Sequence, residues 1–189
     1  MDARVRFTKH VIRESFLEIL EDVPLSRVTV KEICARADIN RATFYKYYDN
    51  PYDLMDKIEK DVLDQLQEKL LAFAPKGVRS LPDIFRVILL DMKENFEIYR
   101  IMFSENGDKK FYNQIFEFLY QDNLEVIQAF FPKLDPKKQE MLYYFIAEGC
   151  GGVVDRWFKG EIDQSVDDMI EFAITIIDTM NRSLPKNLR

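Results

Sequence analysis

A three-residue interruption at Asp38-Ile39-Asn40, set between two short amphipathic runs, constrains this chain more than any other feature. Upstream of it Val30, Ile33, Cys34 and Ala37 recur at helical spacing, and downstream Ala42, Phe44, Tyr45 and Tyr48 resume the pattern. Thr29 followed three residues later by Glu32 has the form of a capping box, and Asn40 is placed to cap the second run. Both helix starts are therefore specified locally, and a break of this length is the one a helix-turn-helix uses.

The second helix carries the chemistry of a DNA reader. It opens with Arg41 and continues through Ala42, Thr43, Tyr45, Lys46 and Tyr47, so small residues permit close approach while the longer ones offer donors to phosphates and bases. The net charge of −6 argues the other way only if it is spread evenly. Residues 1–50 hold nine Lys/Arg against eight Asp/Glu, a balance of +1, so the remainder carries −7. Within residues 27–47, Arg27, Lys31, Arg36, Arg41 and Lys46 face only Glu32 and Asp38. A basic reading end on an acidic body favours docking through one end.

These residues resemble the DNA-binding domain of the TetR/AcrR family of transcriptional regulators. The resemblance covers roughly residues 7–55 and rests on Thr29, Ile33-Cys34, Arg36-Ala37-Asp38-Ile39, Asn40-Arg41, Thr43-Phe44-Tyr45, Tyr47-Tyr48 and Leu54. It implies a double-stranded DNA operator as partner, with Thr29, Thr43, Tyr45 and Tyr47 on backbone phosphates and Arg41 and Ala42 on base edges. Two positions depart from the pattern. Asp38 stands where the family usually has Gly, a turn position needing positive φ, which Asp tolerates better than most side chains. Pro51 replaces a Lys that often meets phosphate, so that contact is not carried over; Asn50-Pro51 reads instead as an N-cap and first helical residue.

The rest of the chain predicts an all-α fold: an N-terminal three-helix helix-turn-helix domain over residues 1–50, and over 51–189 a helical bundle that senses a ligand and dimerises. A first helix is expected from Phe7 to Asp22, with Phe7, Val11, Ile12, Phe16, Ile19 and Leu20 as its apolar stripe. Arg4, Arg6 and Lys9 precede or begin it as a basic terminus, either solvated or a flexible arm reaching DNA. Val23-Pro24-Leu25 ends it. A long helix follows from Pro51 to about Phe73, with Ala74-Pro75-Lys76-Gly77 as a hinge or loop. Further helices are expected near 81–95, 96–104, 108–131, 136–159 and 165–183, and no run alternates with the period of a strand.

Most aromatics of the body belong to its core, but Met102, Phe116, Tyr120, Tyr144 and Glu148 are candidates to line a pocket for a small apolar or aromatic effector. Gly149-Cys150-Gly151-Gly152 lies inside a helical pattern, where each Gly costs about 1 kcal/mol relative to Ala. A local bend, close approach of a ligand, or close approach of a second chain's helix would offset that cost, and of these the second helix is preferred. The last helix is apolar over most of its girth, so Gly151, Gly152, Ile170, Ile174 and Ile177 are the candidate homodimer interface. The body is also similar, more weakly, to a branch of the family that includes regulators of dihydroxyacetone kinase genes, through Asn95-Phe96-x-x-Tyr99-Arg100, a glycine-rich helix ending in Trp157 and a Ser-capped final helix.

Other chemistries find little support. His10 is the sole histidine, which removes a metal site built on several imidazoles, and no glycine-rich phosphate loop or Cys-x-x-Cys occurs. Asp167-Asp168-x-x-Glu171 resembles an Asp-rich metal motif only as a single copy in a first helical turn, where acids favour the helix dipole. No enzyme activity, cofactor or metal is expected. Cys34 and Cys150, far apart, are expected as reduced thiols in the cytoplasm, and no apolar run approaches the ~20 residues that span a bilayer. The reading is thus a sequence-specific regulator, a repressor modulated by the effector; the alternatives are a DNA-binding regulator controlled by a protein partner with no small ligand and, far behind it, an α-helical enzyme.

Overall fold

In the computed structural model, which describes residues 3–73, 80–122 and 124–183, every regular element is helical, with no strand among the described residues. The helices are α1 (Ala3–Leu20), α2 (Val30–Arg36), α3 (Arg41–Phe44), α4 (Pro51–Phe73), α5 (Leu81–Glu94), α6 (Phe96–Phe103), α7 (Lys109–Asp122), α8 (Leu124–Phe130), α9 (Pro136–Phe158) and α10 (Val166–Ser183), with a 3-10 turn at Leu25–Arg27. Two compact units result, Met1–Asp64 with Glu97–Asn113, and Gln65–Phe96 with Gln114–Arg189. The hinge expected at Ala74-Pro75-Lys76-Gly77 lies outside the described residues, as does Asn123 within the expected helix 108–131. No helix among the described residues is long and apolar enough to cross a membrane.

The first unit contains the whole segment 1–50. Its core gathers Ile12, Phe16 and Leu20 of α1, Ile33 of α2, Phe44 of α3 and Leu54, Met55 and Ile58 of α4, joined by Tyr99, Met102 and Phe111. Helix α1 begins at Ala3 rather than Phe7, so Arg4, Arg6 and Lys9 ride on helix and not on a flexible arm. Phe7 is exposed, because the apolar stripe of α1 is buried only from Ile12 onward. Pro24 ends the α1 connection, and the Leu25 N–H is taken up by the Asn106 carbonyl at 2.9 Å. Asn50 caps α4 through the N–H groups of Tyr52 and Asp53, at 2.9 and 3.0 Å, with Pro51 opening the helix.

In the second unit α5 packs on α10 and α8, and α8 on α9. Leu81, Ile127, Phe131, Leu134, Ile146 and Ile177 form its core. Ser80 and Asp83 make a capping box at the start of α5, and Asp135 caps α9 through the Lys137 and Lys138 N–H groups. Two polar groups are buried here with partners. The Lys69 ammonium donates to Asp91 at 2.6 Å and the Gln139 amide donates to the Phe131 carbonyl at 2.9 Å, which meets the requirement that buried polar groups be hydrogen-bonded. Helix α9 ends in a Schellman motif: Gly160 adopts φ 71°, its N–H reaches the Trp157 carbonyl, and the Glu161 N–H reaches the Arg156 carbonyl at 2.9 Å.

Candidate nucleic-acid interface

The reading helix is held by three local devices. At the start of α2 the Thr29 hydroxyl accepts the Glu32 N–H at 3.3 Å, while the Glu32 carboxylate accepts both the Thr29 N–H at 2.9 Å and the Thr29 hydroxyl at 2.6 Å. Those hydrogen bonds hold the Glu32 carboxyl below its usual range. At its end, the Ile39 N–H bonds the Cys34 carbonyl at 3.0 Å, the long closure of a Schellman motif, and Asp38 takes the left-handed position with φ 50°. Asn40 then caps α3 by accepting the Thr43 N–H at 2.8 Å and the Thr43 hydroxyl at 3.0 Å. The turn that usually needs Gly is thus made by Asp at a positive φ.

Regular α-helix covers only Arg41–Phe44, but the chain coils on: the Tyr45 N–H bonds Arg41, and those of Tyr47 and Tyr48 bond Phe44. Phe44 and Tyr48 are buried, and their rings meet at 5.6 Å. Lys57 donates to the Tyr47 carbonyl at 2.9 Å and stands over the Tyr48 ring at 5.3 Å. The same ammonium meets Asp53 at 2.8 Å; this hydrogen bond, then that of the Asp49 N–H, lowers the Asp53 carboxyl. In the sequence Lys57 is one more charged residue of a long amphipathic helix. Its spacing from Tyr47 carries no periodic signal, so its role as a brace under the reader became visible only in three dimensions.

With the helix anchored from below, Arg41, Ala42, Tyr45 and Lys46 are exposed and Thr43 and Tyr47 half-buried. The side chains of Arg41, Tyr45 and Lys46 make no hydrogen bond or ion pair among the described residues. Thr29 and Thr43 differ: their hydroxyl hydrogens are directed to Glu32 and Asn40. Lys9 lies 5.7 Å from the Tyr47 ring centroid, adding α1 to the same surface. Arg36 is instead drawn back to Glu18 at 3.5 Å.

The candidate effector residues do not all meet. Met102 is buried in the core of the first unit. Phe116, Tyr120 and Tyr144 come together in the second: Tyr120 stacks on Tyr144 at 5.8 Å, Tyr144 donates to Glu117 at 3.1 Å, and Tyr143 donates to the Phe116 carbonyl at 2.7 Å. Glu148 is exposed one turn beyond Tyr144 on α9. None of these lines the apolar cavity of about 270 Å³ that opens between α5, α9 and α10, where Phe85, Cys150, Phe172 and Ile176 are among the walls. Of the candidate dimer residues, Gly151, Ile170 and Ile177 are buried within the chain, whereas Gly152 and Ile174 are half-buried. Among the apolar side chains that α9 and α10 leave exposed are Met141, Phe145, Phe172 and Ile176, at 72%, 69%, 62% and 44%.

Comparison with known proteins places this architecture. Residues 13–58 match the profile of bacterial regulatory proteins of the tetR family, and residues 79–179 match that of a transcriptional regulator C-terminal region of the same group. A Bacillus subtilis (strain 168) protein named as the uncharacterized HTH-type transcriptional regulator YxbF is 22% identical over 110 residues, which is 56% of this chain and 29% of that protein. Similar folds occur in the dihydroxyacetone kinase operon activator DhaS (TM-score 0.64, 17% identity, 93% of this chain and 96% of that one). They occur also in NalD of Pseudomonas aeruginosa, the secondary repressor of the MexAB-OprM multidrug efflux pump (0.66, 16%, 93% and 96%). A third is the fatty acid degradation regulator FadR of Bacillus halodurans (0.65, 13%, 94% and 96%). A reader helix braced on a three-helix head, an all-helical body and profile matches over both parts make this chain a member of the TetR family of DNA-binding transcriptional regulators.

Proposed function

We propose that the chain works as a homodimeric repressor whose hold on a near-palindromic operator weakens when a small apolar or aromatic molecule binds the second unit. The observation that carries this reading is the set of uncommitted donors on the exposed face of the reader, Arg41, Tyr45 and Lys46, over the buried anchors Phe44 and Tyr48. Arg41 and Ala42 would face base edges, and Tyr45, Lys46 and Tyr47 phosphates. Thr29 and Thr43 would join them on phosphate only by turning their hydroxyls from Glu32 and Asn40.

Two such readers on one duplex need a fixed separation of ~34 Å, which a symmetric dimer supplies. The face bearing Phe145, Gly149, Phe172 and Ile176 is the surface of α9 and α10 best suited to a second copy, since it is apolar and exposed. Gly152 and Ile174 would lie at its border, while Gly151, Ile170 and Ile177 support it from within. For the effector, the reading centres on Phe116, Tyr120 and Tyr144, where stacked rings lie beside the carboxylate of Glu117. The related structures bear the names of both an activator and a repressor. Repression is preferred because occupying DNA is sufficient for it, with no further contact required.

The test is operator selection from random duplexes, followed by binding titrations at fixed salt. Arg41→Ala is expected to cost about 1–3 kcal/mol and relax specificity at one position, whereas Tyr45→Ala should weaken all sequences alike. Unchanged affinity in both variants would sink the assignment of the reading helix.

A further inference from the structure

Glu59 stands in the middle of the apolar stripe of α4. Its neighbours on that stripe, Met55, Ile58 and Val62, are buried core residues, and Glu59 itself is only 3% exposed. Its Oε1 has no hydrogen-bond partner. A carboxylate so placed is among the costliest groups a core can hold, because it loses hydration and gains nothing in return. The sequence makes matters worse around it. Asp56 precedes it by one helical turn on the same face, and Asp108 approaches from the loop between α6 and α7. One carboxylate oxygen from each of the three lies within 4.8 Å of the others.

The approach of Asp108 is built rather than casual. After α6 the chain turns sharply: Ser104 Oγ donates to the Ile101 carbonyl at 2.7 Å, the Asn106 N–H returns to Ser104 Oγ at 3.2 Å, and the Asn106 amide donates to the Glu21 carbonyl at 3.1 Å. Gly107 passes so close to α6 that a Cβ there would stand 2.5 Å from the Ile101 carbonyl oxygen and 2.7 Å from that of Met102. Only glycine lets the loop take this path. Asp108 Oδ1 accepts the Lys110 N–H at 2.8 Å, which fixes the carboxylate at the start of α7.

We propose that Asp56, Glu59 and Asp108 form a binding site for a hard divalent cation of the calcium or manganese class. Ligand oxygens at ~2.1–2.6 Å from a common ion are separated by no more than ~5 Å, so a 4.8 Å cluster needs little rearrangement to close on one. The donors are carboxylate oxygens only, the set that suits hard cations rather than the thiolate and imidazole seekers. Glu59 reaches the ion from the core, Asp56 from the exposed side and Asp108 from the loop, leaving the outer positions to water. The ion would give the orphaned Glu59 oxygen its partner and remove the mutual repulsion of three acids. The same crowding is what holds the Glu59 carboxyl at about 8, burial first and then the charges of Asp108 and Asp56, with Lys110 opposing them. Occupancy would tie α4 to the α6–α7 loop within the unit that carries the reader.

The full-length chain is stripped with a chelator and titrated with Mn2+ alone, free ion being followed by electron paramagnetic resonance, and melting is recorded in CaCl2 against a chelator at equal ionic strength. One Mn2+ per chain, displaced by Ca2+, and a rise of several degrees in Tm with CaCl2 are expected. Even outer partners of a metal contribute about ten- to a hundredfold in affinity, so Asp56→Asn and Asp108→Asn should each lose at least about tenfold. Asparagine at 108 retains the acceptor for the Lys110 N–H, which keeps the fold. Glu59→Gln should lose binding to the same degree while melting, without cation, no lower than the parent. No Mn2+ bound at millimolar concentration overturns the proposal, as does undiminished affinity in the Asp56→Asn/Asp108→Asn pair. Parental affinity in Glu59→Gln overturns it as well, and would mark Glu59 as a buried acid kept neutral by a proton.

Discussion

Asp38 offers the sharpest test of the reader's geometry. The chain closes two helices with the same long bond, from Ile39 to Cys34 at the end of α2 and from Glu161 to Arg156 at the end of α9. At the second the left-handed residue is Gly160, with φ 71°; at the first it is Asp38, with φ 50°. A left-handed conformation costs an L-residue roughly 1–2 kcal/mol, less for Asp, whose short polar side chain bonds locally. Replacing Asp38 by Gly removes that strain but gives the unfolded chain about 0.4–1 kcal/mol more conformational freedom to lose. The two nearly cancel, so Asp38→Gly should be neutral or stabilising by up to about 0.5 kcal/mol. Asp38→Ala keeps a β-carbon in the left-handed position without the tolerance Asp has for it, and should be less stable than the Gly variant by about 1 kcal/mol. In a chain of this size that difference corresponds to roughly 2–4 °C in Tm. Urea and thermal unfolding at one fixed protein concentration, with equal m-values across the set, give the measurement; fixing the concentration matters for any chain that dimerises. If the Ala and Gly variants are equally stable, residue 38 is not left-handed in solution and the turn between α2 and α3 is made another way.

Thr29→Ala removes the hydroxyl half of the α2 capping box and should cost about 1 kcal/mol by urea unfolding, while Thr29→Ser should recover it. Burial pushes the Cys150 thiol up to about 12, so alkylation of the native chain at neutral pH should be at least about tenfold slower than in urea; equal rates would show the thiol to be open to solvent. Gly149 has empty space where a Cβ would stand, so within one chain Gly149→Ala should strengthen α9 by up to about 1 kcal/mol. If a second copy packs there, the same change should weaken dimerisation in sedimentation, and a tighter dimer would remove this face from the interface.

What could be read from the sequence follows from how local its causes are. The caps at Thr29, Asn40, Ser80 and Asp135 lie within three residues of the groups they satisfy, and the helices they open begin where the sequence places them. The reader was legible for the same reason: its spacing, its turn and its donors all fall inside twenty consecutive positions. The early start of α1 escaped because residues 3–6 carry no apolar periodicity, and helix there is extended from the stable turns that follow. The face of α10 that meets its own chain is hidden from sequence for a different reason. A helix apolar over most of its girth does not declare which apolar side meets its own chain, so Ile170 and Ile177 turned inward while Phe172 and Ile176 stayed outside. The convergence of Asp108 on Glu59 depends on contacts 49 positions apart in the chain, with each acid alone looking like an ordinary surface residue.

The distribution of ion pairs explains how a chain with a net charge of −6 can engage a polyanion. Within the first unit several cations are already neutralised: Arg13 by Asp61, Arg36 by Glu18, Lys57 by Asp53, and Arg100 by Glu97 and Glu21. These pairs brace α1, α2, α4 and the α6 connection. Arg41 and Lys46 on the reader have no such partner among the described residues. Surface ion pairs are worth little for stability, ~0–1 kcal/mol each, but pairing removes a cation from those that can displace counterions from phosphate. The pattern therefore assigns the cations two different tasks. Those behind the helix-turn-helix link its helices, and those in front would be left to displace counterions from phosphate. Two of the acids near the reader are likewise committed to local bonds, Glu32 with Thr29 and Asp53 with Lys57, which spends part of their charge within the scaffold.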